Sequence, residues 1–106
     1  MKREIKFRVF NTQRNSYTKT QDWYLSVQSG LVHGIYGDEY PEMIVEQYTG
    51  LKDSTGKEIY EGDILLLSGY GNYECEFPFL ELYQASMEGD IQNIIGNIHE
   101  NPELLE

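Results

Sequence analysis

The sequence is short of nearly everything from which catalytic and metal sites are built. It has one cysteine, Cys75, and two histidines, His33 and His99, which lie far apart. A single cysteine excludes an internal disulfide. With no C-x-x-C and no H-x-x-x-H spacing, a zinc site would have to be assembled from singletons. G-x-S-x-G is absent, so no serine sits in a nucleophile elbow. Gly69-Tyr70-Gly71 lacks both the lysine of a P-loop and the helix that follows a dinucleotide fingerprint, and it reads as a turn. No apolar run approaches 18 residues, which excludes a spanning helix. The opening MKREIKFRVF lacks the apolar core of a signal peptide. A cytoplasmic protein is the simplest reading.

Positive charge is also scarce, and it is unevenly placed. Eight Lys and Arg stand against 18 Asp and Glu, for a net charge of −10. Residues 1–19 carry six basic groups and one acidic group, whereas the rest of the chain carries two basic and 17 acidic groups. Solubility, with attraction between a basic arm and an acidic body, accounts for this pattern. Two sharper readings are a basic edge for nucleic acid and an acidic face that mimics nucleic acid.

What the chain does have is aromatic residues, nine Tyr, four Phe and one Trp. They favour β structure and half-wet interfaces. At 106 residues the length fits one domain, with an N-terminal β subdomain at 1–42 and a barrel-like subdomain at 43–106 as the finer division. The organising stretch is Tyr48 to Leu67, YTGLKDSTGKEIYEGDILLL. Ile44–Thr49 is a strand, Asp53-Ser54-Thr55-Gly56 a turn, Lys57–Tyr60 a short strand and Glu61-Gly62-Asp63 a second turn. Ile64–Leu67 is a strand with little solvent on either face. Closely spaced glycines in short strands suit a small curved sheet or an SH3-like barrel.

On either side, residues 3–10 alternate, with Ile5, Phe7 and Val9 on the expected buried face and Lys6, Arg8 and Phe10 on the other. Asn11–Ser16 is a hairpin loop returning at Tyr17–Thr20. Strands are expected around Trp23–Val27 and Leu31–Tyr36, and a loop at Gly37–Pro41. Tyr73, Cys75 and Phe77 alternate with Glu74 and Glu76 in a strand stopped by Pro78. Phe79–Met87 reads as helix through Leu80, Tyr83 and Met87, or as a strand, FLELYQA, and the strand is preferred. Ile91–His99 is a last strand, followed by a short helical turn at Pro102–Leu105 with Asn101 as its cap. Leu104 and Leu105 call for burial, on this chain's core or on a neighbouring subunit.

The run YTGLKDSTGKEIYEGDI, with MKREIKFRVFN before it and IIGNIHENPELL after it, resembles the YopX family of phage and prophage proteins. The three pieces cover about 40 of the 106 residues. The resemblance implies a small, mostly β protein that forms assemblies and works in the cytoplasm of a bacterial host. It implies no mechanism. It marks Tyr48, Gly50, Gly56, Tyr60, Gly62, Asp63, Gly96, Asn97, Asn101 and Pro102 as structural positions.

Among groups that could carry chemistry, Cys75 lies between Glu74 and Glu76, whose charge disfavours a thiolate, and is read as a core residue. Glu61 and Asp63, two apart in a turn, fall short of a Ca²⁺ loop. Nucleic acid could be met only by the basic arm, with Lys2, Lys6 and Arg8 as the contacts, in a chain whose overall charge opposes a polyanion. The expectation is therefore a mainly β, non-enzymatic phage or prophage accessory protein without metal or cofactor. It would bind an unknown phage or host protein, and most of all further copies of itself. The alternatives are nucleic-acid binding through the N-terminal strand and acidic DNA-mimic inhibition of a host protein.

Overall fold

A computed structural model of the protein describes residues 5–18, 23–25, 32–34, 39–40 and 43–106, with side chains described for 5–18 and 43–106. The chain divides into two compact units, Arg8–Glu46 and Met1–Phe7 with Gln47–Glu106.

In the first unit, β1 (Phe7–Asn11) pairs antiparallel with β2 (Ser16–Tyr17), Phe10 opposite Tyr17. Asn11 builds the turn: its Oδ1 accepts the amides of Gln13 and Arg14 at 2.9 and 3.0 Å, and Asn15 takes φ 55. β3 (Trp23–Leu25), β4 (Val32–Gly34) and β5 (Glu39–Tyr40) form an antiparallel meander. Glu39 and Tyr40 thus belong to a strand and not to the expected loop, because they pair with His33 and Val32.

The expected faces of the N-terminal strand need correction. Ile5 and Phe7 are exposed, at 67% and 40%, whereas Val9 and Phe10 are both buried. Successive residues on a strand point to opposite sides, so two consecutive buried residues mean that both sides are covered there. Alternation could not show that.

In the second unit, β6 (Met43–Lys52, which crosses the boundary) pairs antiparallel with β7 (Glu58–Tyr60) through a bulge between Tyr48 and Lys52. Thr49 and Gly50 lie in the bulge. Thr49 Oγ1 donates to the Ile59 carbonyl at 2.7 Å. β8 (Asp63–Leu67) is the centre of a three-stranded sheet, between β9 (Gly71–Glu74) and β10 (Ile91–Asn97). Bulges in the β8–β10 pairing at 91–96 curve this sheet. The mainly β expectation, with small curved sheets and a short C-terminal helical turn, holds.

The core of this unit is Ile59, Leu65, Leu67, Tyr73, Cys75, Phe79, Leu82 and Ala85. Cys75 is buried within it, as expected. β9 starts at Gly71 because Leu67 pairs with Gly71, which leaves only Ser68–Tyr70 for the turn. The strand expected to run to Phe77 ends at Glu74, which pairs with Ile64 near the start of β8, and Phe77 is 67% exposed.

Residues 80–88 form a helix, α1 (Leu80–Glu88), and not the preferred strand. Its buried residues are Leu82 and Ala85, with Phe79 buried at its N-cap and Tyr83 packed partly against the core, while Leu80 and Met87 face outward. Gly89, at φ 74, closes it. The Asp90 amide donates to the Ala85 carbonyl at 2.9 Å and the Gly89 amide to Ser86 at 3.2 Å, the paired bonds of a left-handed helix end. A 3-10 turn (Pro102–Leu105) ends the chain. Leu104 is half-buried and Leu105 is 40% exposed, so neither lies in the core. Among the described residues no helix is long and apolar enough to cross a membrane.

Candidate functional site

Of the residues marked by the family resemblance, Tyr48 and Tyr60 pair across two strands, Asp63 starts a third, and the others lie mainly at turns and bulges. Gly50, Gly56 and Gly62 all have positive φ, between 87 and 90. Tyr48 is buried in β6, and its ring lies 5.4 Å from that of Tyr60 on β7. Asp63 is buried and accepts the Tyr60 amide at 2.8 Å, which fixes the Glu61-Gly62 turn. Asn97 Oδ1 accepts the amides of His99 and Glu100 at 3.0 and 2.9 Å. Asn101 precedes the 3-10 turn without the expected side-chain cap, because its Oδ1 accepts the Asn97 amide at 3.2 Å instead. Pro102 opens the 3-10 turn.

Asp53 is a larger structural feature than its turn chemistry suggested. Its Oδ1 accepts the Thr55 amide (2.9 Å), the Thr55 hydroxyl (2.6 Å) and the Lys57 amide (3.0 Å). Its Oδ2 accepts the Ile94 amide at 3.0 Å. One carboxylate therefore closes the β6–β7 turn and holds it to β10. Burial pushes its pKa up, but the hydrogen bonds from Thr55, Ile94 and Lys57 together outweigh burial and bring it down to about 2.

The basic residues proposed for nucleic acid are ion-paired where they are described. Lys6 pairs with Glu58 and lies over the Tyr48 ring. Arg8 Nε donates to Glu46 Oε1 at 2.8 Å, and its guanidinium stacks 4.3 Å from the Tyr17 ring centre. The Tyr17 hydroxyl donates to the same Glu46 oxygen at 2.8 Å. Glu46 is only 2% exposed, so Arg8 serves as the countercharge of a buried acid. Lys2 lies outside the described residues, as do the side chains around His33.

Two surface features were not legible beforehand. On α1, Leu80 and Met87 are 68% and 85% exposed and share the outer side, with exposed Phe77 just ahead of the helix. Elsewhere, an open cleft of about 330 Å³ is lined by Tyr70, Tyr73 and Leu105, by the carboxylates Glu74, Glu76 and Glu81, and by Asn72. Asn72 is committed to the 3-10 turn, its Nδ2 donating to the Leu104 carbonyl at 2.8 Å. Burial, with Glu76 beside it, holds the Glu74 carboxyl above the usual range. The alternation of Tyr73 and Cys75 with Glu74 and Glu76 was the one signal in the sequence for this cleft. Among the described residues no three His, Cys, Asp or Glu side chains converge to hold a metal.

The fold is that of a small β-rich protein with one short helix and bulged, curved sheets. The family model described as YopX protein matches residues 6–77, about two thirds of the chain, and the chain belongs to the YopX protein family. Among solved structures, protein EF1440 from Enterococcus faecalis is similar over 97% of this chain and 99% of its own, at 29% identity and a TM-score of 0.56. No curated protein matches the sequence.

Proposed function

We propose that this is a phage- or prophage-encoded accessory protein that acts by binding other proteins, without catalysis or cofactor, and that a second copy of the chain is its first partner. The observation that carries this reading is the outward apolar set on α1. Leu80 and Met87 are large, apolar and mostly exposed, on a helix whose opposite side already fills the core. An isologous contact places the same strip of each copy against the other, so one apolar strip is enough to make a dimer.

Burying Phe77, Leu80 and Met87 on both copies contributes on the order of 10 kcal/mol gross. That is comparable to the roughly 4–15 kcal/mol lost as translational and rotational freedom on association. The dimer is therefore concentration-dependent, not permanent. Hydrogen exchange along a dilution series tests it. Protection of amides in 77–88 should fall on dilution while β8 and β10 stay protected; protection in 77–88 that does not depend on concentration contradicts self-association through α1.

Nucleic-acid binding through the N-terminal strand draws less support, because Lys6 and Arg8 are engaged with Glu58 and Glu46.

A further inference from the structure

The cleft beside β9 contains a group that the fold leaves unused. Tyr73 is nine-tenths buried, its ring lines the cleft, and among the described residues its hydroxyl has no hydrogen-bond partner. Buried polar groups are nearly always paired, so a bare phenol in a lined cleft needs an explanation. Burial first, then the charges of Cys75, Glu81 and Glu76, push its pKa up to about 12. The hydroxyl is therefore a neutral donor and acceptor on a residue that lines the cleft together with the carboxylates whose charges it feels. Glu74, Glu76 and Glu81 bring three carboxylates to the same space, with no described cation paired to them.

These carboxylates do not converge as a metal site requires. The cleft is also lined by Tyr70 and Leu105, which are 70% and 40% exposed. Spread acceptors, one aromatic face and an apolar rim match a planar group with several donors and an aliphatic stem. A guanidinium provides this: five N–H donors in a fork, a face that stacks on tyrosine, and weak hydration. An ammonium, a compact and strongly hydrated point charge, fits less well.

We propose that this cleft is a binding site for a guanidinium group, presented as an arginine side chain by a protein partner. The Tyr73 hydroxyl accepts one N–H, Glu76 and Glu81 accept others, Tyr70 stacks on the plane and Leu105 packs on the stem. The site shares no residue with the α1 strip and does not depend on self-association. A protein that is monomeric at every concentration yet binds guanidinium would sink the dimer and leave this site standing.

The test is a titration of the intact chain with argininamide, followed by NMR of ring-labelled tyrosines and by calorimetry. Saturable binding is expected, with shifts at Tyr70 and Tyr73. Glu76→Gln/Glu81→Gln should bind about tenfold or more weakly, through loss of charge-assisted bonds. Tyr73→Phe, which keeps the ring in the core, should bind severalfold more weakly. Citrulline amide, which keeps the α-ammonium but carries an uncharged urea in place of the guanidinium, should not bind. An arginine-containing peptide that binds more tightly than argininamide supports a protein source; a peptide that fails where argininamide binds overturns the protein source. The site itself is overturned by any of three results: no saturable shift up to roughly 20 mM, a range that includes weak single-group binding; unchanged affinity in the Glu76→Gln/Glu81→Gln and Tyr73→Phe variants; or equal binding of calcium or citrulline amide.

Discussion

Gly96 and Asn101 are in such close contact that a methyl group at 96 would lie 2.5 Å from Asn101 Oδ1, 2.7 Å from its Cγ and 2.8 Å from its Cβ. The clash reaches the base of the Asn101 side chain, which cannot swing clear without releasing the Asn97 amide it accepts. Gly96→Ala should therefore destabilise the protein by about 1–3 kcal/mol in urea unfolding. Asn101→Gly should remove most of that penalty when combined with it, giving a clear departure from additivity. Additive losses would mean that the contact is not the cause.

Asp53 should make the protein sensitive to acid. Its pKa, about 2 when folded, lies below the ordinary 3.8. The stabilisation is complete above about pH 4 and is lost as the pH falls towards 2, on the order of 2 kcal/mol in all. Asp53→Asn should lower stability at pH 7 by a similar amount and flatten the stability–pH curve between pH 4 and 2. Parallel curves for the two proteins would assign the acid sensitivity elsewhere.

Gly62, at φ 87, is tied from both backbone groups: its amide donates to the Cys75 carbonyl and its carbonyl accepts the Ile98 amide, each at 2.9 Å. A side chain in this left-handed region costs roughly 1–2 kcal/mol, more when β-branched and less for Asn. Thermal melts should rank wild type above Gly62→Asn and Gly62→Asn above Gly62→Val. A Gly62→Val protein as stable as wild type would contradict the turn geometry.

Removing the guanidinium from Arg8 deprives Glu46 of its countercharge in a nearly dry position. Arg8→Met should cost about 3 kcal/mol, and Arg8→Met/Glu46→Met should recover most of it. A surface-exposed nucleic-acid contact would give a loss near zero for the single change.

Much of the second unit was legible because its signals are local. Asp53-Ser54-Thr55-Gly56 and Glu61-Gly62-Asp63 are turns whose residue types carry the geometry themselves. Ile64–Leu67 was legible as a strand shielded on both faces, although Leu66 reaches 36% exposure. The misses were tertiary. FLELYQA alternates well enough for a strand, and of the helical set Leu80, Tyr83, Met87 only Tyr83 packs partly against the core, its hydroxyl donating to the Thr49 carbonyl at 2.9 Å; the buried set is Phe79, Leu82 and Ala85, with Gly89 as the stop. Asp53 could be read as a turn residue, but not as a tie to Ile94 forty-one positions away. The cleft was hidden for the same reason. Glu81, Tyr73 and Leu105 meet only once α1 and the C-terminal turn have folded beside β9.

Solution mass by light scattering, over a wide range of concentration and at low and high salt, tests the central reading most directly. Wild type should rise above 12.4 kDa with concentration and keep that mass in high salt, as an apolar contact requires. Leu80→Glu/Met87→Lys places each new charge where the helix dipole favours it, so the fold is retained while the apolar strip is lost. That variant should stay at the monomer mass throughout. A wild type that remains monomeric at every concentration, or a variant that associates as strongly as wild type, would contradict self-association through α1.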